Sequence, residues 1–357
     1  MERIRGGEIV ARMLRAEGVE KVFGIIDGTY FGFYSSLKKV GIELVSPRNE
    51  AIAAYMAGAY ARLTGRLGVC MASNGPGVAN VLPGVAVENG EGNRVLLLTS
   101  CRRHGIVYPD RGGTYQCFDQ VGVTRAMTKW SVAVPSSERI PELLRRALSA
   151  SWTGRPGVVH VDVPEDVLNG KTRWDPRGLM EPGRYRPTER LEPSADQVDR
   201  AARMLLEARL PLVHAGSGVL HAGAFDELRE VAEILGAAVT TSWAARGVLP
   251  ETHPSSIPMI HLGLVDEVRN RADAVLVVGS RLGETDWWGK PPHWASPAAQ
   301  RMVQVDVDPE VLGRNKPVDL AVVADARAFL ARLRDRLRAA GPLDPGPRRD
   351  ALAGYRA

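Results

Sequence analysis

The chain has 357 residues, of which 46 are basic and 41 are acidic, and its formal net charge is +5. The two signs are interspersed, which indicates a solvated surface and argues against a nucleic-acid-binding arm. No apolar run reaches the roughly 18 residues that a membrane span needs, and no secretory signal is visible, so the expected location is the cytoplasm.

The first part of the chain alternates between helical and strand patterns. Amphipathic periodicity predicts helices, and short buried apolar runs predict strands. The predicted helices are at 7–17 and 51–63, and the predicted strands are at 22–26, 67–72, 94–99 and 158–163. This alternation is typical of a mainly parallel sheet flanked by helices. We therefore predict a doubly wound α/β domain over residues 1–168.

The second part of the chain repeats this pattern after a break. Residues 169–193 are rich in Pro, Arg and Glu with little periodicity, which predicts a connection between domains. A Rossmann-like α/β domain is predicted over 194–340, followed by a tail over 341–357. Its predicted strands are Pro211–Ala215, Ala238–Thr241, 274–279 and 302–306, and its predicted helices are 222–235 and 326–340.

The three cysteines, Cys70, Cys101 and Cys117, show neither a CxxC pair nor the spacing of metal ligands. We therefore predict neither a disulfide framework nor a metal site in this chain. Cys70 lies in a predicted apolar strand and is interpreted as a small core residue.

Glu50 is an unusual acidic residue because it precedes an apolar helix whose nearest positions are mostly alanine. A bound ligand could shield this carboxyl group from water and favour its protonated form, as in a general acid. Its position also allows a simpler interpretation, in which the helix dipole favours a glutamate in the first turn.

Residues 48–80 combine this glutamate with a Gly-Pro-Gly turn at a fixed distance along the chain. The pattern resembles the pyrimidine-binding domain of the thiamine diphosphate (ThDP) enzymes related to acetohydroxyacid synthase, benzoylformate decarboxylase and oxalyl-CoA decarboxylase. Similar segments on both sides extend the resemblance over nearly the whole chain. The matching residues of the central motif are Arg48, Glu50, Ala53, Met56, Ala57, Gly58, Tyr60, Ala61, Arg62, Thr64 and Gly65, followed by Gly68, Val69, Asn74, Gly75, Pro76, Gly77 and Asn80.

The resemblance implies that Glu50 is a catalytic carboxyl group. In the family this group shares a proton with the cofactor's pyrimidine ring and stabilises the imino tautomer, which removes the proton from C2 of the thiazolium ring. The cofactor supplies the electron sink, and the protein supplies orientation and proton control. The residues implied to bind the cofactor are Glu50, Asn74, Gly75, Pro76, Gly77 and Asn80.

Two other residues are candidates for catalysis. Gln116 matches a glutamine that faces the cofactor in the family. Asp27 follows a predicted strand, in a loop that borders the substrate in relatives. There it is predicted either to orient a substrate or relay protons, or to be an ordinary Asp-Gly turn residue. His104 is interpreted either as a proton donor or as a solvated loop histidine without a visible partner.

The second predicted domain allows two interpretations. Its Ala-Gly-Ser-Gly run after a strand is only a fragment of a dinucleotide fingerprint. Trp287, Trp288 and Trp294, near Arg281 and Lys290, could hold an adenine and a phosphate. The resemblance implies that such a ligand would be FAD or an ADP or CoA nucleotide, although in some relatives this domain binds nothing. The same residues are equally typical of a packed interface loop, because tryptophan is enriched at interfaces.

Relatives in the family carry a third domain whose Asp and Asn residues hold the Mg²⁺ that bridges the diphosphate. No such motif occurs in this sequence. We therefore expect a partner chain of about 180 to 220 residues to hold Mg²⁺ and the diphosphate of ThDP, in a heterotetramer with two copies of each chain. The expected function is that of a subunit of a split ThDP-dependent C–C lyase or carboligase. Its expected substrate is a 2-oxo acid, a 2-hydroxy ketone or a 2-hydroxyacyl-CoA, and the alternative is a non-catalytic nucleotide-binding or regulatory protein.

Overall fold

The computed structural model describes residues 2–107, 111–341 and 344–356. The chain divides into two compact units, Met1–Thr188 and Glu189–Ala357. Each unit contains a parallel sheet flanked by helices, which confirms the predicted fold class. None of the helices in these described residues is long and apolar enough to cross a membrane.

The first unit contains eight strands and eight helices among its described residues. The strands are β1 (Glu2–Arg5), β2 (Lys21–Gly24), β3 (Glu43–Val45), β4 (Gly68–Ala72), β5 (Val95–Cys101), β6 (Trp130–Ala133), β7 (Val158–Pro164) and β8 (Lys171–Trp174). The helices are α1 (Gly6–Ala16), α2 (Phe31–Leu37), α3 (Glu50–Thr64), α4 (Pro76–Glu91), α5 (His104–Val107), α6 (Gln120–Arg125), α7 (Ile140–Trp152) and α8 (Glu165–Asn169).

Six of these strands form one parallel sheet in the order β3-β2-β4-β5-β7-β6. The chain moves from β2 to β3 on one side and then crosses to β4 on the other side, so the strand order reverses between β2 and β4. Such a switch point opens a crevice at the carboxyl ends of the two strands, where ligands of open α/β sheets bind. The four predicted strands correspond to β2, β4, β5 and β7. The short strands β3 and β6, which are only partly buried, were not predicted.

The predicted connection at 169–193 packs largely with the first unit. Its residues Lys171–Trp174 form β8, which pairs antiparallel with β1. Ile4 and Trp174 are buried in the first core, and Arg186 forms an ion pair with the buried Glu17. The sequence pattern did not reveal this because two four-residue strands carry little periodicity.

The strands of the second unit are β9 (Pro211–Ala215), β10 (Ala238–Thr241), β11 (Ala274–Val278), β12 (Arg301–Asp306) and β13 (Leu320–Val323). They form one parallel sheet in the order β10-β9-β11-β12-β13. The helices are α9 (Ala195–Leu206), α10 (Ser217–Ala222), α11 (Phe225–Leu235), α12 (Leu262–Arg271), α13 (Ala326–Ala339) and α14 (Gly346–Arg356).

Two predictions for the second unit differ from the structure. The helix predicted at 222–235 begins at Phe225, because Gly223 adopts a left-handed conformation that ends α10. The predicted tail contains α14, and its Leu352 is buried in a core cluster of this unit. Residues 342, 343 and 357 of that tail lie outside the described residues.

Small residues bring α3 and α4 into close contact in the first unit. A Cβ atom on Gly84 would lie 2.6 Å from Cβ of Ala54, and one on Gly58 would overlap the carboxyl group of Glu88. The alanines beside Glu50 therefore bury the inner face of α3 against its neighbour. This close crossing sets the first turns of the two helices beside each other.

Candidate functional site

The candidate site lies where the strand order of the first sheet reverses. Asp27 follows β2, and residues 73–75 follow β4 at the same edge of the sheet. Helix α3 begins with Glu50 at this edge too, because it follows the parallel strand β3. The predicted site residues of the first unit are therefore placed around one crevice.

Gly75 forms the sharp turn between β4 and α4. Its backbone has φ 63° and ψ −114°, a combination that is readily available only to glycine. A Cβ atom at this position would lie 2.5 Å from the Cα atom of Gln116, so the loop that carries Gln116 lies directly on the turn. Pro76 begins α4 and is exposed. The structure thus brings Gln116 to the Gly-Pro-Gly motif.

Asn74, which precedes Gly75 in this turn, has an unusual side-chain environment. Its side chain is buried, with 2% of the residue exposed, yet neither its oxygen nor its nitrogen has a hydrogen-bond partner in the described structure. Leaving a buried amide unpaired is costly. A ligand with both a donor and an acceptor, such as an aminopyrimidine ring, fits this side chain.

Glu50 lies beside the first turns of α4. The Nδ2 atom of Asn80 donates a hydrogen bond of 3.3 Å to Oε2 of Glu50. A Cβ atom on Gly77 would lie 3.5 Å from Oε1 of Glu50, an ordinary contact distance, so the first turn of α4 lies directly beside the carboxyl group. Asn49 caps α3 through the backbone N–H of Ala51 and fixes where Glu50 begins the helix. Glu50, Gly77 and Asn80 therefore form one group.

Asp27 and His104 have protein partners. Oδ1 of Asp27 accepts hydrogen bonds from the backbone N–H and the hydroxyl group of Thr29, at 2.9 Å and 2.5 Å, and this caps a short helical turn. The turn chemistry considered for Asp27 is thus present, with the residue half-buried at the crevice edge. Nδ1 of His104 lies 2.9 Å from Asp166, so the interpretation of a histidine without a partner was wrong.

A buried polar network supports the turn from inside the sheet, and sequence reasoning missed it. Gln120 accepts a hydrogen bond from the backbone N–H of Gly75. Its amide group donates to Asp162, which also accepts a 2.5 Å bond from Thr99. The Thr99 hydroxyl group lies 2.6 Å from Nε2 of His160. His160 and Asp162 stand two residues apart in an otherwise apolar strand, which was the available signal.

Burial changes the proton affinity of two members of this network in opposite senses. It lowers the pKa of His160 to about 3, so the imidazole ring is neutral near pH 7. It raises the pKa of Asp162 to about 6, against the opposing effect of bonds from Thr99, Cys101 and Gln120. Because the Thr99 hydroxyl group donates to Asp162, it accepts from His160, which assigns the ring proton to Nε2.

The tryptophans of the second unit do not form a single binding surface. Trp294 is fully buried, donates from Nε1 to the backbone oxygen of Asp286, and has the Arg269 guanidinium 4.4 Å from its ring. The expectation that Trp294 holds a nucleotide is therefore wrong, because its ring faces are packed against protein groups and its N–H is already paired. Trp287 and Trp288 are 42% and 44% exposed, and Trp287 stacks on His293.

The glycines of the Ala-Gly-Ser-Gly run have a packing role. Cβ atoms on Gly216 and Gly218 would lie 2.2 Å and 2.6 Å from backbone atoms of Gly279. These residues are small because the loops after β9 and β11 contact each other directly. The described residues of the chain contain no group of three or more His, Cys, Asp or Glu side chains placed to hold a metal ion.

The unpaired amide of Asn74 and the carboxyl group of Glu50 lie at the switch point of a parallel sheet, which is the place where open α/β proteins bind ligands. Residues 4–123 match the N-terminal TPP-binding domain of thiamine pyrophosphate enzymes, and residues 198–333 match the central domain of the same enzymes. The chain therefore belongs to the thiamine pyrophosphate-dependent enzyme family. Every candidate residue of the crevice lies within the first of these ranges.

Similar proteins include several acetolactate synthases. The chain is 35% identical to the acetolactate synthase large subunit of Mycobacterium tuberculosis over 347 residues, which are 95% of this chain and 54% of that protein. It is 35% identical to the large subunit of Corynebacterium glutamicum, covering 95% of this chain and 53% of that protein. A probable acetolactate synthase large subunit of Methanocaldococcus jannaschii is 31% identical, and the match covers 92% of this chain and 55% of that protein. The chain spans about half the length of these relatives.

The neutral state of His160 predicts a pH-dependent loss of stability. The pKa of His160 in the folded protein lies below the ordinary value of 6.5. The contribution of the neutral ring to folding stability is therefore complete above about pH 6.5 and is lost as pH falls toward 3. Asp162 has the opposite dependence, since its raised pKa costs stability as pH rises through about 6. We expect the free energy of unfolding, measured with urea, to fall by about 2 kcal/mol more for wild type than for His160→Gln between roughly pH 7.5 and pH 5. The exposed His261→Gln serves as the control, and equal slopes for wild type and His160→Gln would contradict the assignment.

Proposed function

We propose that this chain contributes the pyrimidine-binding half of a ThDP-dependent C–C lyase or carboligase of the acetolactate synthase type. The observation that carries the proposal is the unpaired, buried Asn74 side chain beside the Glu50–Asn80 pair. A protein that kept only the fold would gain nothing from an unsatisfied buried amide in this turn. Similarity to acetolactate synthase large subunits supports a 2-oxo acid as the substrate class.

The residues of the crevice have distinct roles in this proposal. Asn74 pairs with the polar edge of the aminopyrimidine, and Gly75 and Gly77 let the backbone approach the ring. Glu50 holds a proton between its carboxyl oxygens and the pyrimidine ring nitrogen, and Asn80 orients the carboxyl group. When bound, ThDP supplies the electron sink for making or breaking a bond to a carbonyl carbon.

Gln116 and Asp27 complete the proposed site. Gln116 stands on the Gly75 turn, where it can orient the reacting groups by hydrogen bonds. Asp27 lies at the same edge of the sheet, and its Oδ1 atom is held by Thr29. We assign its carboxyl group a role in orienting the substrate.

The diphosphate and Mg²⁺ are proposed to be held by a diphosphate-binding domain outside these residues, on a partner chain. An apolar surface beside the crevice supports this docking. Tyr115, 79% exposed, and Phe118 project from the loop that lies on Gly75. Exposed apolar patches of this kind mark interaction sites. Exposed apolar residues also lie on α3 and α4, namely Ile52, Met56, Ala59 and Leu63, with Ala79, Pro83, Ala86 and Val87.

We propose a second, separate function for the exposed tryptophans of the central unit, which is to contact an adenine nucleotide such as FAD, ADP or CoA. Leu282, Trp287 and Trp288 all have φ near 50°, a conformation that non-glycine residues rarely adopt. Strained residues of this kind are concentrated at ligand-binding segments. Exposed cations at Arg281 and Lys290 supply a counter-charge for phosphate.

Replacing Glu50 tests the first proposal. In the assembled enzyme, Glu50→Gln should leave folding intact and reduce turnover by about a hundredfold or more, because the amide cannot exchange a proton with the ring. Deuterium exchange at C2 of bound ThDP, followed by NMR, should slow in parallel. Glu91→Gln, at the opposite end of α4, should change neither. Unchanged C2 exchange in Glu50→Gln would remove Glu50 from the mechanism.

Ligand titration tests the nucleotide proposal. Addition of CoA, ADP or FAD should quench tryptophan fluorescence and raise the melting temperature with concentration, as mass action requires. Trp288→Leu should abolish both effects, and Trp243→Leu, at an exposed tryptophan elsewhere in the same unit, should preserve them. Absence of any melting shift with all three nucleotides at millimolar concentration would refute this function.

A further inference from the structure

Gln120 connects the ends of three neighbouring strands beneath the candidate site. Its Oε1 atom accepts from the backbone N–H of Gly75, which follows β4, at 2.9 Å. Its Nε2 atom donates to the backbone oxygen of Ser100 in β5 and to Oδ1 of Asp162 in β7, both at 2.9 Å. The side chain is buried, with 2% of the residue exposed.

The partners of Gln120 determine the orientation of its amide group. The Ser100 oxygen can only accept, and Asp162 Oδ1 already accepts from Thr99 and accepts from Gln120 as well. Both N–H groups of the amide must therefore face these acceptors, which leaves the oxygen for Gly75. Each donor of the amide has one partner, and its oxygen holds the turn. No other side chain of this length has two donors and one acceptor in that arrangement.

Two of the residues proposed to meet the cofactor or the reacting groups adjoin the Gly75 turn. Asn74, with its unpaired side chain, immediately precedes Gly75, and the backbone of Gln116 lies against it without room for a Cβ atom. A change in the direction of the Gly75 N–H would therefore displace Asn74 and Gln116 together.

We infer that Gln120 is a positioning residue that holds the Gly75 turn in the geometry that receives the pyrimidine ring. This inference rests on the proposed function. Gln120 does not contact the ring; it acts through Gly75. Its fully paired amide fixes the turn before the cofactor arrives, which lowers the ordering cost of binding.

Gln120→Met tests this role, because methionine keeps the length and burial of the side chain but lacks its hydrogen bonds. Two measurements on the purified chain are combined. Hydrogen exchange at the Gly75 amide should accelerate by about tenfold or more, and the dissociation constant for thiamine should rise by about tenfold. Val123→Met, on the exposed side of the same helix, should change neither.

A second variant covers the case in which Gln120→Met does not fold. Gln120→Glu keeps an oxygen for Gly75 but places the other oxygen against Ser100 and Asp162, so it should weaken thiamine binding as well. Faster Gly75 exchange with unchanged thiamine affinity would overturn the positioning role, and so would unchanged exchange. Wild type that binds no thiamine would refute the proposed function itself, and the inference with it.

Discussion

The backbone conformation of Gly75 is the constraint on which the candidate site depends. Because its φ is positive and an added Cβ atom would lie 2.5 Å from the Cα atom of Gln116, no side chain can be placed there. The turn starts α4 at Pro76, and the close crossing of α4 with α3 then sets Asn80 beside Glu50. One local conformation thus positions a carboxyl group, an unpaired amide and the glutamine loop.

The polar network under this turn involves a compromise between stability and position. Burying His160 and Asp162 in a strand costs solvation free energy, which an apolar pair would avoid. Their hydrogen bonds to Thr99 and Gln120 repay part of that cost and fix the end of β7 relative to β4 and β5. Polar cores of this kind define a single arrangement when every member is paired.

The fold class could be predicted because it depends on local patterns, since buried apolar runs identify β4 and β5. Glu50 and the Gly-Pro-Gly turn were singled out by the resemblance of a motif with fixed spacing, and the structure places them at one edge of the sheet. The network could not be predicted, since Thr99 and His160 meet across 61 positions of sequence. Trp294 was misassigned because a cluster of tryptophans in the sequence does not reveal which ring is buried. Residues 171–174 appeared to be a linker because a four-residue strand is recognised only by its partner.

In the proposed function, these residues bind the pyrimidine end of ThDP, and another domain holds the diphosphate and its metal. Calorimetric titration of the purified chain with thiamine and with ThDP, each with and without Mg²⁺, distinguishes the two ends of the cofactor. We expect weak binding of both ligands with similar affinities and no effect of Mg²⁺, because the described residues hold no metal-binding cluster. Tight, Mg²⁺-dependent binding of ThDP that far exceeds binding of thiamine would refute this division of roles.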